Sequence, residues 1–287
     1  MAPGGWEQVE VRVGDELRAR WPFVRRQVLG GTVLGAPPLT KWSGPWIARS
    51  ESDKIATIYG RTGELLEQLI QELPDYSWFS QNLHRDVEYW LPLYWHGFQI
   101  ESRVSYVLPD CSDLERVWAG CEETARRQIK KARRSLSVGE IDSAQLVDMV
   151  RKTYLRQEKG MSVSPEIVES VVDATVRRSV GAPVGVFDER GQVHAAALFV
   201  WDDRSMYYVL GGGDPELRNS GAASLAMWDG IRRAGELGVA FDFEGSMVAG
   251  IERFFRRFGA CQALHSHVSR GSSVMRLAKR WRRGSFD

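Results

Sequence analysis

Cysteine is scarce in this chain and poorly placed for cross-linking. The 287 residues hold three, Cys111, Cys121 and Cys261, odd in number and far apart, with no Cys-x-x-Cys pair and no Cys/His ligand spacing. This excludes a disulfide framework and a structural zinc site, and fits a reducing compartment. His265 and His267 flank Ser266, but no carboxylate stands at ligand spacing, so no metal site is expected. Long apolar runs are missing: nothing approaches the roughly 18 residues of a membrane-crossing helix. The opening MAPGGWEQVEVRVGDELRARW lacks the apolar core of a signal peptide. A cytoplasmic protein is therefore expected. Excess charge is missing too. Lys plus Arg number 38 against 37 Asp plus Glu, so nothing global demands a nucleic acid or a membrane surface.

Tryptophan, by contrast, is plentiful, with 11 residues. Such rings either fill a core or line ligand grooves. Trp42 and Trp46 lie in the Pro/Gly-broken segment Leu39–Ile47, where they wall a binding groove or plug a core edge. Before it, Trp6–Val13 predicts a strand, Asp15–Trp21 a short helix or turn stopped by Pro22, and Phe23–Leu34 a hairpin turning near Gly30-Gly31. Apolar residues at helical spacing predict a helix over Ser52–Leu73, ended by Pro74. Tyr76–Leu83 and Gln99–Leu108 read as strands, while Pro92 makes Tyr89–Trp95 a loop or edge segment. Ser112-Asp113-Leu114-Glu115 has the capping-box form and opens one long helix with an apolar stripe from Leu114 to Ala132. Its last turns carry Arg126, Arg127, Lys130, Lys131, Arg133 and Arg134. These are either a solvated helix end or a contact to phosphate or RNA.

From Leu136 the pattern becomes regular. A strand (Leu136–Ile141) is followed by helices opening at Ser143 and at Ser164-Pro165. Strands Pro183–Phe187 and Gln192–Trp201 join at Asp188–Gly191. The stretch Ser205–Gly259 then reads as strand, glycine turn, helix, strand, turn and short helix. Gly211–Gly213 breaks its first strand, Arg218–Ala223 opens the helix, and Gly238 closes it. Val239–Glu244 alternates, Phe241 and Phe243 on one face and Asp242 and Glu244 on the other. A helix start beside strand ends suits a phosphate-bearing donor. A last strand near Ala263–Val268 and a basic tail, Arg270–Asp287, expected to be partly helical, complete the chain.

The order β-α-α-β-β-β-α-β-α-β from Leu136 resembles the GNAT acyltransferase fold. Arg218-x-x-Gly221-x-Ala223 resembles that family's pyrophosphate-binding loop, which implies donor binding by Arg218, Ser220, Gly221, Ala222 and Ala223. The basic helix end at Arg126–Arg134, with Phe241–Ser246 and Gly250–Gly259, resembles the FemABX-like acetyltransferase branch, in which two tandem GNAT-like domains surround a cleft. The resemblance implies a mixed α/β fold (α+β), a GNAT-like central mixed sheet flanked by helices. It also implies two domains: residues 1–134, a degenerate copy ending in a basic linking helix 113–134, and residues 135–287, the acyltransferase domain with its tail. The Fem aminoacyltransferases carry a lysine after the position of Phe254. Here Phe255 stands there, and Arg256 is turned about 100° away on a helix.

Acyl transfer to an amine requires a base, an oxyanion stabiliser and two reactants held together. No Ser-His-Asp or Cys-His spacing stands out, so direct attack without an acyl-enzyme is expected. Glu244 and Asp242 are the candidate bases. Tyr207 and Tyr208 point to opposite faces of one strand, and one of them should face the cleft. Arg253 and Arg256 either bind an anionic substrate or are solvated helix charge. The oxyanion stabiliser is a backbone N–H on the splayed strand, a tyrosine or Arg256. Acyl-CoA and aminoacyl-tRNA both remain open as donor. The acceptor is an amine of a small molecule, peptide or cell-wall or sugar-type compound. A different class, a non-catalytic GNAT-like module binding RNA or protein, would use Arg126, Arg127, Lys130, Lys131 and Arg134 with Arg270–Arg283 as its footprint.

Overall fold

The computed structural model describes residues 5–28, 30–156, 160–161, 163–245 and 247–271. They form two compact units, one of residues 5–103 with 264–271, the other of residues 104–263. The division expected after residue 134 therefore falls at Arg103/Val104. The physical reason is the apolar stripe Val117, Cys121, Ala125 and Ile129, which is buried in the core of the larger unit instead of spanning a link.

The smaller unit begins with β1 (Glu7–Val13), β2 (Glu16–Val28), β3 (Gly31–Gly35) and β4 (Trp46–Ile47). Helix α1 (Ile55–Glu72), β5 (Trp78–Asn82), α2 (Leu91–Trp95) and the first half of β6 (Gln99–Leu108) follow. Its sheet runs β1-β2-β3-β5-β12, with β4 on β2 and with β12 (Cys261–Gly271) returning from the chain's end. Trp21, Phe23, Leu34, Leu69, Phe79, Leu83 and Val268 make its core. Asp15 is in the turn after β1, but Glu16–Trp21 is strand, not helix or turn, because burying alternate Ala19, Trp21 and Phe23 dominates. Pro22 is accommodated, its carbonyl accepting from buried Gln81 Nε2 at 2.9 Å. Tyr89–Trp95 contains helix α2, with Pro92 in the first turn where its missing N–H costs nothing.

The larger unit continues with α3 (Leu114–Gly120), α4 (Glu123–Ala132), β7 (Ser137–Glu140), α5 (Ser143–Arg156), α6 (Pro165–Arg177), β8 (Gly181–Phe187), β9 (Val193–Trp201) and β10 (Ser205–Gly213). A 3-10 turn (Arg218–Ser220), α7 (Ala222–Leu237), β11 (Ala240–Asp242) and α8 (Ala249–Arg256) complete it before β12. The single long helix expected over this region is two. Cys121 leaves the helical conformation and the Glu122 N–H donates to the Arg257 carbonyl at 2.8 Å. Asp113, not Ser112, is the N-cap, accepting from the Arg116 N–H at 3.0 Å. Strand order is β6-β11-β10-β9-β8-β7, antiparallel except for the parallel pair β10/β11. From β7 onward the elements follow the expected order, in a mixed sheet flanked by helices. The expected helical tail beyond residue 271 lies outside the described residues. No helix among the described residues is long and apolar enough to cross a membrane.

One buried histidine links the smaller unit to pH. Burial first, then the charges of Lys41, Arg103 and His84, push His265 from 6.5 down to about 4. Between those values the unfolded chain binds the extra proton. This contribution is therefore complete above 6.5 and is lost as pH falls towards 4. Urea denaturation should show stability falling by on the order of 2 kcal/mol across this window, and His265→Gln should remove most of that slope.

Candidate active site

Strands β10 and β11 run side by side over three residue pairs, Ser205–Ala240, Met206–Phe241 and Tyr207–Asp242. There β11 stops while β10 continues to Gly213. Beyond Tyr207, β10 has lost its parallel neighbour. Its pairing with β9 also slips: Tyr208 faces Phe199 and Leu210 faces Leu198, so Val209 is the extra residue of a bulge. Bulges of this kind re-aim main-chain groups, and here they do so where the two strands part.

The chain leaves β11 for a local reason. Asp242 is fully buried, and its Oδ1 accepts from Ser105 Oγ at 2.5 Å and from the Glu244 N–H at 2.7 Å. A side chain bonding the N–H two residues on bends the backbone, and Glu244 takes φ +54, uncommon for a residue with a Cβ. Asp242 is thus occupied as a structural clamp, whereas Glu244 is half-buried at the strand exit.

The two tyrosines separate as strand alternation requires. Tyr207 does not face the opening: its hydroxyl meets Asp202 Oδ2 at 3.0 Å in the β9–β10 turn. Tyr208 lies against Phe199 and Phe255, with ring centroids 6.1 and 5.8 Å away. Burial, then the neighbouring Tyr154, pushes its hydroxyl up to about 12, so it is a neutral donor at ordinary pH. That hydroxyl rests on Gly211, where any Cβ would collide with it. Thr153 of α5 ties the same strand from the other partner, accepting from the Gly213 N–H at 2.9 Å. Tyr154 and Val209 are neighbours of this place that the sequence does not single out, since a tyrosine on a helix face and a bulge leave no residue-type signature.

The segment after β10 forms the turn that its sequence promised. Arg218–Ser220 make one 3-10 turn, Gly221 adopts φ +85 as N-cap, and α7 starts at Ala222. Arg218 and Ala223 are exposed, Ser220 is half-buried, and Ala222 is buried with its N–H on Ser220 Oγ at 3.3 Å. The first N–H groups of a helix have no intrahelical partner and carry the positive end of its dipole. Helix α4 packs on this turn. A Cβ at Gly221 would strike the Gln128 carbonyl, and Lys131 Nζ donates to the Asn219 carbonyl at 2.7 Å. Arg127 and Lys131 are exposed and spaced to share that side of the helix, and Arg134 is exposed in the turn that follows it. Lys130 and Arg133 instead lie over the Trp118 ring, and Arg126 pairs with Glu123 at 2.9 Å. Two segments singled out separately, the basic helix end and the glycine turn, therefore meet in one anion-favouring place.

The remaining candidates do not join it. Arg256 is paired with Glu252 at 3.1 Å, and Glu252 also accepts from buried Tyr106 at 2.7 Å. Arg253 bonds back to the Ala249 carbonyl of its own helix at 3.4 Å. Trp42 and Trp46 belong to the smaller unit. Trp46 is exposed beneath Arg20, and Trp42 packs against two histidines. Phe255, at the position of the Fem lysine, is buried between Tyr208 and Phe243. Burial pushes the Cys111 and Cys121 thiols up to about 11, which makes them poor nucleophiles.

The family profile described as acetyltransferase (GNAT) domain matches residues 120–268, more than half of the chain. The chain belongs to the GNAT acetyltransferase family. Among solved structures it is similar to FemX at 14% identity, covering 91% of this chain and 88% of that one with a TM-score of 0.66. It is similar to the C-terminal domain of a putative lysylphosphatidylglycerol synthetase from Agrobacterium fabrum at 11% identity, covering 96% and 87%, TM-score 0.59. A tandem GNAT protein from the clavulanic acid biosynthesis pathway matches at 8% identity, covering 94% and 84%, TM-score 0.54. No curated protein sequence matches it. These likenesses extend the shared GNAT-type fold over nearly the whole chain. Within the matched residues lie the parting of β10 and β11, the bulge and the glycine turn.

Gly221 is the most constrained position of the turn. Gly221→Ala combines a positive φ with a collision against main chain and should cost about 3 kcal/mol in urea denaturation. Gly238→Ala, at φ +70 with open space around it, should cost only about 1 kcal/mol.

Proposed function

We propose that the larger unit is an acyl-CoA-dependent N-acyltransferase that acts by direct attack of an amine on the thioester. The single observation that carries this reading is the parting of β10 and β11 in front of the α7 start, with the Val209 bulge at the fork. The pyrophosphate of coenzyme A would lie on the N–H groups of Gly221–Ser224, helped by Arg218, Arg127, Lys131 and Arg134. The thioester carbonyl would extend to the fork, where the Val209 N–H supplies the oxyanion contact. Glu244 takes the proton from the attacking amine as the C–N bond forms. Tyr208 donates a hydrogen bond to the sulfur as the C–S bond breaks. Asp242 is a positioning residue for Glu244.

A charged tRNA as donor is the competing reading of the same fork. Buried Phe255 in place of a lysine counts against it, since the cation that would meet the charged intermediate is absent from that position. The smaller unit is read as a degenerate first copy of the fold, supported by the chain-long likeness to the tandem GNAT protein. The acceptor is a primary amine of a small molecule or peptide, in the cytoplasm.

The test is transfer of labelled acetyl from acetyl-CoA, and of a labelled aminoacyl group from charged tRNA, to a panel of amines. Acetyl transfer without aminoacyl transfer is expected, and the reverse outcome would move the donor to tRNA. Glu244→Gln should lower kcat by roughly 100-fold or more with little change in KM for the donor. Salt-sensitive RNA binding with transfer from neither donor would replace catalysis with a binding role.

A further inference from the structure

In the smaller unit the two sides of β5 and β12 differ sharply. Phe79, Leu83 and Val268 enter the apolar core. The opposite side carries Ser80, Asn82, His265 and His267. His267 Nδ1 lies 2.9 Å from Asn82 Oδ1, its Nε2 lies 3.3 Å from Ser80 Oγ, and Arg103 donates to Asn82 Oδ1 at 3.4 Å. A polar sheet face is ordinarily solvated, yet His265 is only 5% exposed. Trp42 lies edge-on to His265, with ring centroids 4.6 Å apart, and edge-on to His84 at 5.5 Å.

This face is left unfinished. Among the described residues, both ring nitrogens of His265 and the Nε1 of Trp42 are buried with no hydrogen-bond partner. Buried polar atoms are nearly always paired, so three orphans on two touching rings mark a place for something else. The surrounding charge sets its sign. Lys41 lies 4.9 Å from the Trp42 ring. The charged and titratable groups that act on His265 are Lys41, Arg103 and His84; Arg103 is itself paired with Glu101 at 3.2 Å, and His84 lies 3.5 Å from Asp86. Indole N–H and one imidazole N–H are donors, and two cations stand beside them.

We propose that Trp42 and His265 form an oxyanion-binding site in the smaller unit, taking a carboxylate or phosphate group between the indole N–H and the imidazole. Lys41 supplies the attraction, with Arg103, shared with Glu101, adding to it. This site is separate from the donor turn at Gly221 and does not depend on which acyl donor is used.

The test is a titration of the full chain, carrying carbon-13-labelled histidine, with inorganic phosphate and separately with acetate, at constant ionic strength set by chloride. A saturable shift of the His265 ring resonance is expected, identified by its loss in His265→Gln. Trp42→Phe keeps the ring and removes the N–H; it should weaken binding about five-fold, the effect of one lost hydrogen bond. Tighter binding of phosphate assigns the site to a phosphate group, and tighter binding of acetate to a carboxylate. No saturable response to either anion, the same response to chloride, or an affinity unchanged by Trp42→Phe overturns the proposal.

Discussion

The buried carboxylate of Asp242 is the interaction on which the fork depends. By accepting from Ser105 on β6 and from the Glu244 N–H two residues along its own chain, it ends β11 after three residues. The side-chain bond substitutes for a ladder bond, and the chain swings away from β10. Everything beyond that point on β10 then has an open side. Without the clamp, β11 would have no reason to part from β10, and neither the bulge at Val209 nor Glu244 would stand at an opening. A carboxylate that looks catalytic in the sequence is thus engaged in holding the backbone.

A second constraint fixes the turn that opens α7. Gly221 brings main chain against main chain at Gln128, which no residue with a Cβ could do, and Lys131 ties the turn from the same helix. The start of α7 therefore faces a set of cations whose own helix is anchored in the core through Ala125 and Ile129. The positive end of a helix dipole and a cationic stripe reinforce each other there. Position 255 shows the opposite choice. An aromatic side chain packs Tyr208 from below, and a charge at that depth would have to be neutralised or paired.

Much of this was legible in the sequence. Alternation and helical spacing placed Gln99–Leu108 and the β7-to-β12 order, and Arg218-x-x-Gly221-x-Ala223 marked the turn. The losses have separate physical causes. Glu16–Trp21 was misread because Pro22 was weighed above the burial of Trp21 and Phe23. Tyr89–Trp95 was misread because a proline in the first helical turn costs no hydrogen bond. The break at Cys121 follows from the bond of the Glu122 N–H to the Arg257 carbonyl, 135 residues further along the chain. The unit boundary followed the same logic, since only packing decides which core a long apolar stripe joins. At the site, the pairing of Arg256 with Glu252 four residues earlier on one helix and the tether of Tyr207 to Asp202 across one turn are local features that the sequence offers, whereas the slip in register at Val209 has no local signature.

The central claim is that a phosphate-bearing thioester spans from the α7 start to the fork in β10. Amide hydrogen exchange in the presence and absence of acetyl-CoA tests it most directly, because each contact invoked is a backbone N–H. Slowed exchange at Gly221–Ser224 together with Val209 is the predicted result. Unchanged exchange at both places, with acetyl-CoA bound, would contradict it.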